Sequence, residues 1–224
     1  MVVAEVREWS EGLKSIFLKY SGERMDFKAG QYVLLKAVIG GKNVSRAYSI
    51  ASIPSDERVE IIFRVVGEFT NYLDGLKAGD GVVMVGPFGH FTVDRIGQRN
   101  VVCIATGTGI SPPLSMIRQI HSDGKCRNFE RIIVIYGTRY RKMIVHYDEM
   151  KGHEKECGNF LVKAVLSREE DWDGLKGHVQ DALPKFIMHD CDYVVCGLPA
   201  MTDDVEKILL ENGVKRENII LERY

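Results

Sequence analysis

Arg46-Ala47-Tyr48-Ser49 sets a fixed cation, a flat ring and a hydroxyl within four residues. In an extended segment alternate side chains share a face, so Arg46 and Tyr48 leave one side and Ser49 serves the other. Such a strand can grip an anion and cover a planar ring together. Some twenty residues on, Gly67-Glu68-Phe69-Thr70-Asn71-Tyr72-Leu73 follows an apolar run. There Gly67, Thr70 and Asn71 have the chemistry of a helix start whose free N–H groups face a phosphate. Gly107-Thr108-Gly109-Ile110-Ser111-Pro112 stands between an apolar strand and a helix, the context a phosphate-binding glycine turn requires. Pro112 replaces the third glycine of the dinucleotide fingerprint and is tolerated, because a first-turn helix residue needs no N–H partner. Finally, Val195-Cys196-Gly197-Leu198-Pro199-Ala200-Met201 places a small thiol where a buried strand gives way to a helix. Each group alone also fits an ordinary turn, cap or core position; their succession carries the argument.

Two kinds of element must position these groups. Residues 2–94 read as short strands (2–9, 15–19, 32–37, 47–50, 59–66 and 81–85) divided by Gly, Pro, Asn and Asp turns, with one short helix at 70–76. That punctuation predicts a small antiparallel β-barrel. From about Gly97 the pattern becomes strand, Gly-rich turn, helix. Strands at 100–105, 131–136, 160–166, 193–196 and 219–221, with helices at 111–121 and 201–212, predict an α/β domain on a parallel sheet. The expected division is residues 1–96 and 97–224.

Composition excludes more than it selects. Among 224 residues, 30 basic and 31 acidic side chains leave a net charge of -1, which speaks against a nucleic acid or membrane-surface partner. No run approaches the ~20 apolar residues of a membrane span, and the N-terminus lacks a signal-peptide core. Cys103, Cys126, Cys157, Cys191 and Cys196 are scattered without C-x-x-C or iron–sulfur spacing, the pattern of free thiols in a cytoplasmic protein. The histidines likewise show no metal-ligand spacing, and no metal is expected.

Together R-A-Y-S, the Gly67–Leu73 segment, Gly86-Pro87-Phe88-Gly89-His90-Phe91, G-T-G-I-S-P, Tyr136-Gly137-Thr138-Arg139 and C-G-L-P-A-M resemble the ferredoxin–NADP reductase superfamily, in the correct order along nearly the whole chain. The resemblance implies an FAD-binding barrel, a nucleotide-binding α/β domain, and hydride transfer between NADPH or NADH and flavin N5. It implies that Arg46, Ala47, Tyr48 and Ser49 hold phosphate, ring and ring edge, and that Gly67, Thr70 and Asn71 hold the pyrophosphate. Gly107, Thr108, Gly109, Ser111, Pro112, Gly197 and Met201 would then receive the coenzyme. Cys196 would lie beside the reacting nicotinamide carbon, and Tyr224 would cover the flavin.

Coenzyme choice stays open. No acidic residue closes strand 131–136, where Arg139 follows instead, and Ser167-Arg168-Glu169 resembles the segment that holds the 2′-phosphate of NADPH in plant-type members, a role the planar charge of Arg168 suits. The Trp172-Asp173-Gly174 to Gly177-His178-Val179 pattern resembles NADH-using relatives. FAD is favoured over FMN by the Gly67–Leu73 segment, and the implied acceptor is a ferredoxin or flavodoxin-like electron carrier. A free-flavin reductase and an electron-transfer subunit of a larger redox complex remain as alternatives.

Overall fold

The computed structural model describes all 224 residues. Its first half is built from β1 (Val2–Ser10), β2 (Leu13–Lys19), β3 (Tyr32–Ile39), β4 (Lys42–Ser49), β5 (Arg58–Arg64), α1 (Glu68–Gly75) and β6 (Val83–Phe88). These strands form two antiparallel three-stranded sheets, β1-β2-β5 and β4-β3-β6, which bridges at Val2–Gly81 and Ile50–Ile61 join into the expected barrel. Alternate residues such as Ile16 and Leu18, Val33 and Leu35, and Ile61 and Phe63 point inward to one core. Phe69 and Leu73 of α1 join that core.

β4 begins at Lys42, five residues before the expected strand, because Gly40 and Gly41 close a two-residue hairpin with Ile39 opposite Lys42. Their φ values of +57° and +75° are those of a type I′ turn, which glycines enter without strain. The hairpin extends the strand that carries Arg46 to Ser49 into a rigid ladder on β3.

The second half contains β7 (Asn100–Thr106), α2 (Ser111–Ser122), β8 (Arg131–Thr138), α3 (Tyr147–Glu156), β9 (Phe160–Leu166), β10 (Leu175–Lys176), α4 (Val179–Ala182), β11 (Cys191–Gly197), α5 (Pro199–Glu211) and β12 (Ile219–Arg223). They make a parallel sheet in the order β10-β9-β8-β7-β11-β12. The central strands are apolar over most of their length because both faces are covered. Val101 and Cys103 of β7 pack with Leu114 and Ile117 of α2 and Met150 of α3, whereas Val102 and Ile104 pack with Val205 and Leu209 of α5. The chain runs outward from β7 through β8 to β9, then returns to lay β11 on β7's other edge. That reversal opens a crevice at the C-terminal ends of β7 and β11.

The cluster on the α2 face also takes in Leu13, Ala29, Ala51, Ile62 and Phe91 of the barrel, so the halves share apolar packing. No helix is long and apolar enough to cross a membrane.

Candidate functional site

β4 holds Arg46 and Tyr48 two residues apart on one face, as alternation requires. The Tyr48 ring stacks on Phe69 of α1 at a centroid distance of 6.1 Å. Burial pushes its hydroxyl up to about 12, against the opposing pull of the Arg46 charge. Arg46 is exposed; one of its nitrogens donates to the Ser45 carbonyl, leaving most of its donor fork to solvent. Thus β4 and the start of α1 share one patch through the Tyr48–Phe69 stack.

That helix starts two residues earlier than expected. Thr70 is its third residue rather than its cap. The Thr70 hydroxyl accepts from the Val66 and Gly67 N–H groups and donates to the Gly67 carbonyl, so its capacity is spent on shaping the turn. The N–H groups of Glu68 and Phe69 belong to the first turn, where a helix has no internal acceptors for them. Gly67 is open, since a Cβ there would meet nothing within 4 Å. These open backbone donors beside a cation and a half-buried ring fit a flavin dinucleotide.

The second patch occupies the crevice between β7 and β11. Gly107 begins the turn at φ +55°, with open space where a side chain would stand. The Tyr136 hydroxyl donates to the Gly107 carbonyl at 2.9 Å and props the turn from below. Thr108 is linked to Ser111, whose hydroxyl donates to the Thr108 carbonyl at 2.8 Å, and Pro112 follows in the first turn of α2. Gly109 is irreplaceable for another reason: a Cβ would lie 2.6 Å from the Cys196 carbonyl and 2.5 Å from the Tyr224 hydroxyl. Gly197, across the crevice, touches Met201 and the Thr106 hydroxyl in the same way.

Tyr224 closes this crevice. Its N–H donates to the Gly197 carbonyl at 3.4 Å, and its hydroxyl donates to the Thr106 carbonyl at 3.4 Å, with Thr108 Oγ1 at 3.5 Å. Residue 224 is 51% exposed overall, with its hydroxyl tucked in against Thr106 and Thr108. Cys196 is fully buried at 0% exposure, and burial, with the nearby Glu222 charge, drives its thiol well above the ordinary range. Cys196 therefore contributes shape and a carbonyl edge, with a neutral thiol rather than a nucleophile.

Glu222, which sequence reasoning passed over, stands opposite Cys196 on β12. Desolvation raises its carboxyl from 4.5 to about 7. Glu222 Oε1 also lies 4.0 Å from the Cβ position of Gly89, which the Tyr32 ring covers, and Tyr32 is the ladder partner of Ser49. Ser49 and Glu222 thus border one region from the two halves. The only hint in the sequence was an acidic residue next to the terminal Arg-Tyr pair.

Arg139, Ser167 and Arg168 form a separate group at the ends of β8 and β9. Backbone bonds join Ser167 to Thr138 and Arg168 to Arg139, each at 3.0 Å. Both arginines are exposed at the same C-terminal edge of the sheet as the crevice.

Barrel and sheet are tied directly behind Ser49. The Ser115 hydroxyl donates to the Ser52 carbonyl at 2.6 Å, and Arg118 donates to the Ala51 carbonyl at 2.7 Å. Arg118 also reaches Glu60 at 2.8 Å and Glu149 at 2.5 Å, while His146 bonds Glu60 at 2.7 Å and Glu149 at 2.8 Å. Ser15 donates to Glu60 at 2.7 Å and accepts from the Trp9 ring N–H at 2.9 Å. Arg118 and His146 are thereby set between two carboxylates at the seam.

Comparison with known proteins fits this geometry. A family model described as an oxidoreductase FAD-binding domain matches residues 3–93, and one described as an oxidoreductase NAD-binding domain matches residues 103–207. The chain is 31% identical over 221 residues to ferredoxin–NADP reductase B of Sorangium cellulosum, spanning 93% of this chain and 89% of that protein. It is 29% identical over 241 residues to the flavodoxin/ferredoxin–NADP reductase of Buchnera aphidicola, spanning 97% and 92%. The solved structure of a ferredoxin NADP+ reductase from Neisseria gonorrhoeae with bound FAD and NADP matches with a TM-score of 0.88 over 99% of this chain and 96% of that one. At 20% identity that last likeness speaks to the fold alone.

Proposed function

The chain belongs to the ferredoxin–NADP reductase superfamily, and on that footing we propose a cytoplasmic, flavin-dependent NAD(P)H oxidoreductase that exchanges electrons with a ferredoxin or flavodoxin-like carrier. When bound, FAD would supply the chemistry the side chains lack, hydride acceptance from the coenzyme and single-electron release. Residues 1–96 would hold the flavin and 97–224 the coenzyme. Arg46 presents its donor fork to the diphosphate together with the first turn of α1, Tyr48 covers the ring, and Ser49 donates at its reactive edge.

Gly107 to Pro112 lets the coenzyme pyrophosphate approach backbone, with the start of α2 supplying partial positive charge. Arg139, Ser167 and Arg168 suit a 2′-phosphate monoester, which favours NADPH. Tyr224 packs over Gly109 beside Cys196 and must swing aside for a nicotinamide to reach Cys196. Glu222 holds a proton near neutral pH and can exchange it with solvent as charge in the crevice changes.

The observation that carries this reading is the meeting of Gly109, Cys196, Glu222 and Tyr224 at the strand-order reversal, next to the ladder partner of Ser49. Stopped-flow absorbance of the purified protein tests it. The protein should be yellow, release FAD on denaturation, and bleach with NADPH faster than with NADH. Tightly bound flavin that neither nucleotide bleaches would sink the proposal; colourless protein that turns over added flavin would make it a free-flavin reductase.

A further inference from the structure

Far from the crevice, at the N-terminal edge of the parallel sheet, the fold gathers three soft donors that lie apart in sequence. His121 sits in the last turn of α2, Cys126 follows in a short 3-10 turn, and Cys157 caps the C-terminus of α3. His121 Nδ1 is 3.8 Å from Cys126 Sγ and 3.7 Å from Cys157 Sγ, and all three donor atoms lie within 4.8 Å of one another. Zinc bonds of about 2.3 Å to sulfur and about 2.0 Å to nitrogen, set at a tetrahedral angle, give S···N edges of about 3.6 Å and S···S edges of about 3.8 Å. The observed triangle needs only small adjustments to accept such an ion.

We propose that His121, Cys126 and Cys157 form a binding site for a divalent transition metal of the zinc type, distinct from the flavin and coenzyme sites.

Three observations favour a cation over mere packing. The Nδ1 lone pair of His121 faces both sulfurs, and the Cys126 and Cys157 thiols also hydrogen-bond each other, so three soft donor atoms are gathered in one small triangle. His121 Nε2 lies 2.9 Å from Glu156 Oε2, which fixes the tautomer that turns the Nδ1 lone pair towards the sulfurs. A carboxylate on the far ring nitrogen is the usual support of a metal-bound imidazole. The site also lies at the C-terminal ends of two helices, whose carbonyls favour positive charge.

The three residues line a surface cavity of about 520 Å³ with Phe129, Glu156 and Asn159, giving an ion an entry path and a fourth position for water. Beside them the His153 ring packs on His121 at 4.0 Å between centroids, and its buried Nε2 has no hydrogen-bond partner. As the metal–sulfur bonds form, the thiol protons leave to solvent.

The ion would clamp the ends of α2 and α3. Because α2 carries the coenzyme turn at its other end, the clamp would fix that helix without touching the crevice.

The test adds zinc(II), and separately cobalt(II), to the reduced holoprotein. After desalting, native mass spectrometry should find one zinc per chain. The cobalt difference spectrum should show thiolate charge-transfer and tetrahedral d–d bands. The double substitution Cys126→Ser and Cys157→Ser should abolish both signals, and Glu156→Gln should weaken zinc affinity roughly 10- to 100-fold. Cys157→Ser alone, at a partly exposed position, should keep its flavin content and its rate of reduction by coenzyme, which reports folding independently of metal. Zinc stoichiometry unchanged in the double variant, no zinc retained by the fully reduced native chain, or a Cys126–Cys157 disulfide formed in preference to metal loading would each overturn the proposal.

Discussion

Glu222 is a carboxyl whose environment moves it into the physiological range. Its pKa is raised from 4.5 to about 7 by desolvation, so the folded chain binds its proton more tightly than the unfolded chain does. That contribution to stability is complete below about pH 4.5 and is lost as pH rises through 7. Glu222→Gln should therefore remove an inflection near pH 7 from the profile of flavin reduction and flatten the fall in melting temperature across neutral pH; an unchanged profile would deny Glu222 its proton-holding role. Gly109 makes a different demand. With the Cys196 carbonyl 2.6 Å from where its Cβ would sit, Gly109→Ala must push backbone apart. Overpacking of this kind costs about 1–3 kcal/mol. Thermal denaturation should register that loss, and steady-state kinetics should show a higher KM for coenzyme.

Between elements, the seam of Glu60, Arg118, His146 and Glu149 joins β5 to α2 and α3. Glu60 is 2% exposed, and burial alone would raise its pKa, yet His146 and Arg118 hold it at about 2. Burial likewise opposes the charged form of His146, and the carboxylates of Glu149 and Glu60 overcome it and raise its pKa. The Glu60 contribution is present above pH 4.5 and fades as pH falls towards 2. The His146 contribution is present below pH 6.5 and fades as pH rises past its raised value. The seam should thus be tightest between about pH 4.5 and 6.5, a maximum that urea denaturation across pH would locate. Glu60→Gln leaves two buried cations underpaired and should cost about 3–5 kcal/mol.

The cluster did not stand out in the sequence, because only His146 and Glu149 are neighbours along the chain, at the start of α3, while Glu60 and Arg118 reach them from β5 and α2. The helix α3 was missed for a related reason: of Tyr147–Glu156 only Met150 is buried, so the apolar period that announces a helix is absent. The β3–β4 hairpin, by contrast, was announced by Gly40-Gly41 between alternating residues and was legible in principle.

Across the whole molecule, what the sequence disclosed was whatever is contiguous. Glycine turns, strand runs and the order of motifs predict a barrel followed by a parallel sheet, and both are present. What it withheld were meetings across distance: Glu222 with Cys196, His121 with Cys157, and the apolar cluster that runs from Leu13, Ala51 and Phe91 of the barrel to Leu114 and Met116 of α2. Because that cluster is shared, the two halves should melt together in one calorimetric transition, and residues 1–96 made alone should expose apolar surface and aggregate. Two separable transitions would show that the halves are energetically independent.

The ties behind Ser49 bear on recombination. Ser115 and Arg118 of α2 hold the carbonyls of Ser52 and Ala51, so the first helix of the coenzyme half is wedded to the chain that leaves the flavin strand. A chimera whose incoming coenzyme half lacked Arg118 and His146 would leave Glu60 buried and unpaired at the seam. Only a coenzyme half whose incoming helices carry matching partners would be an interchangeable part, which makes the seam a lock on module shuffling.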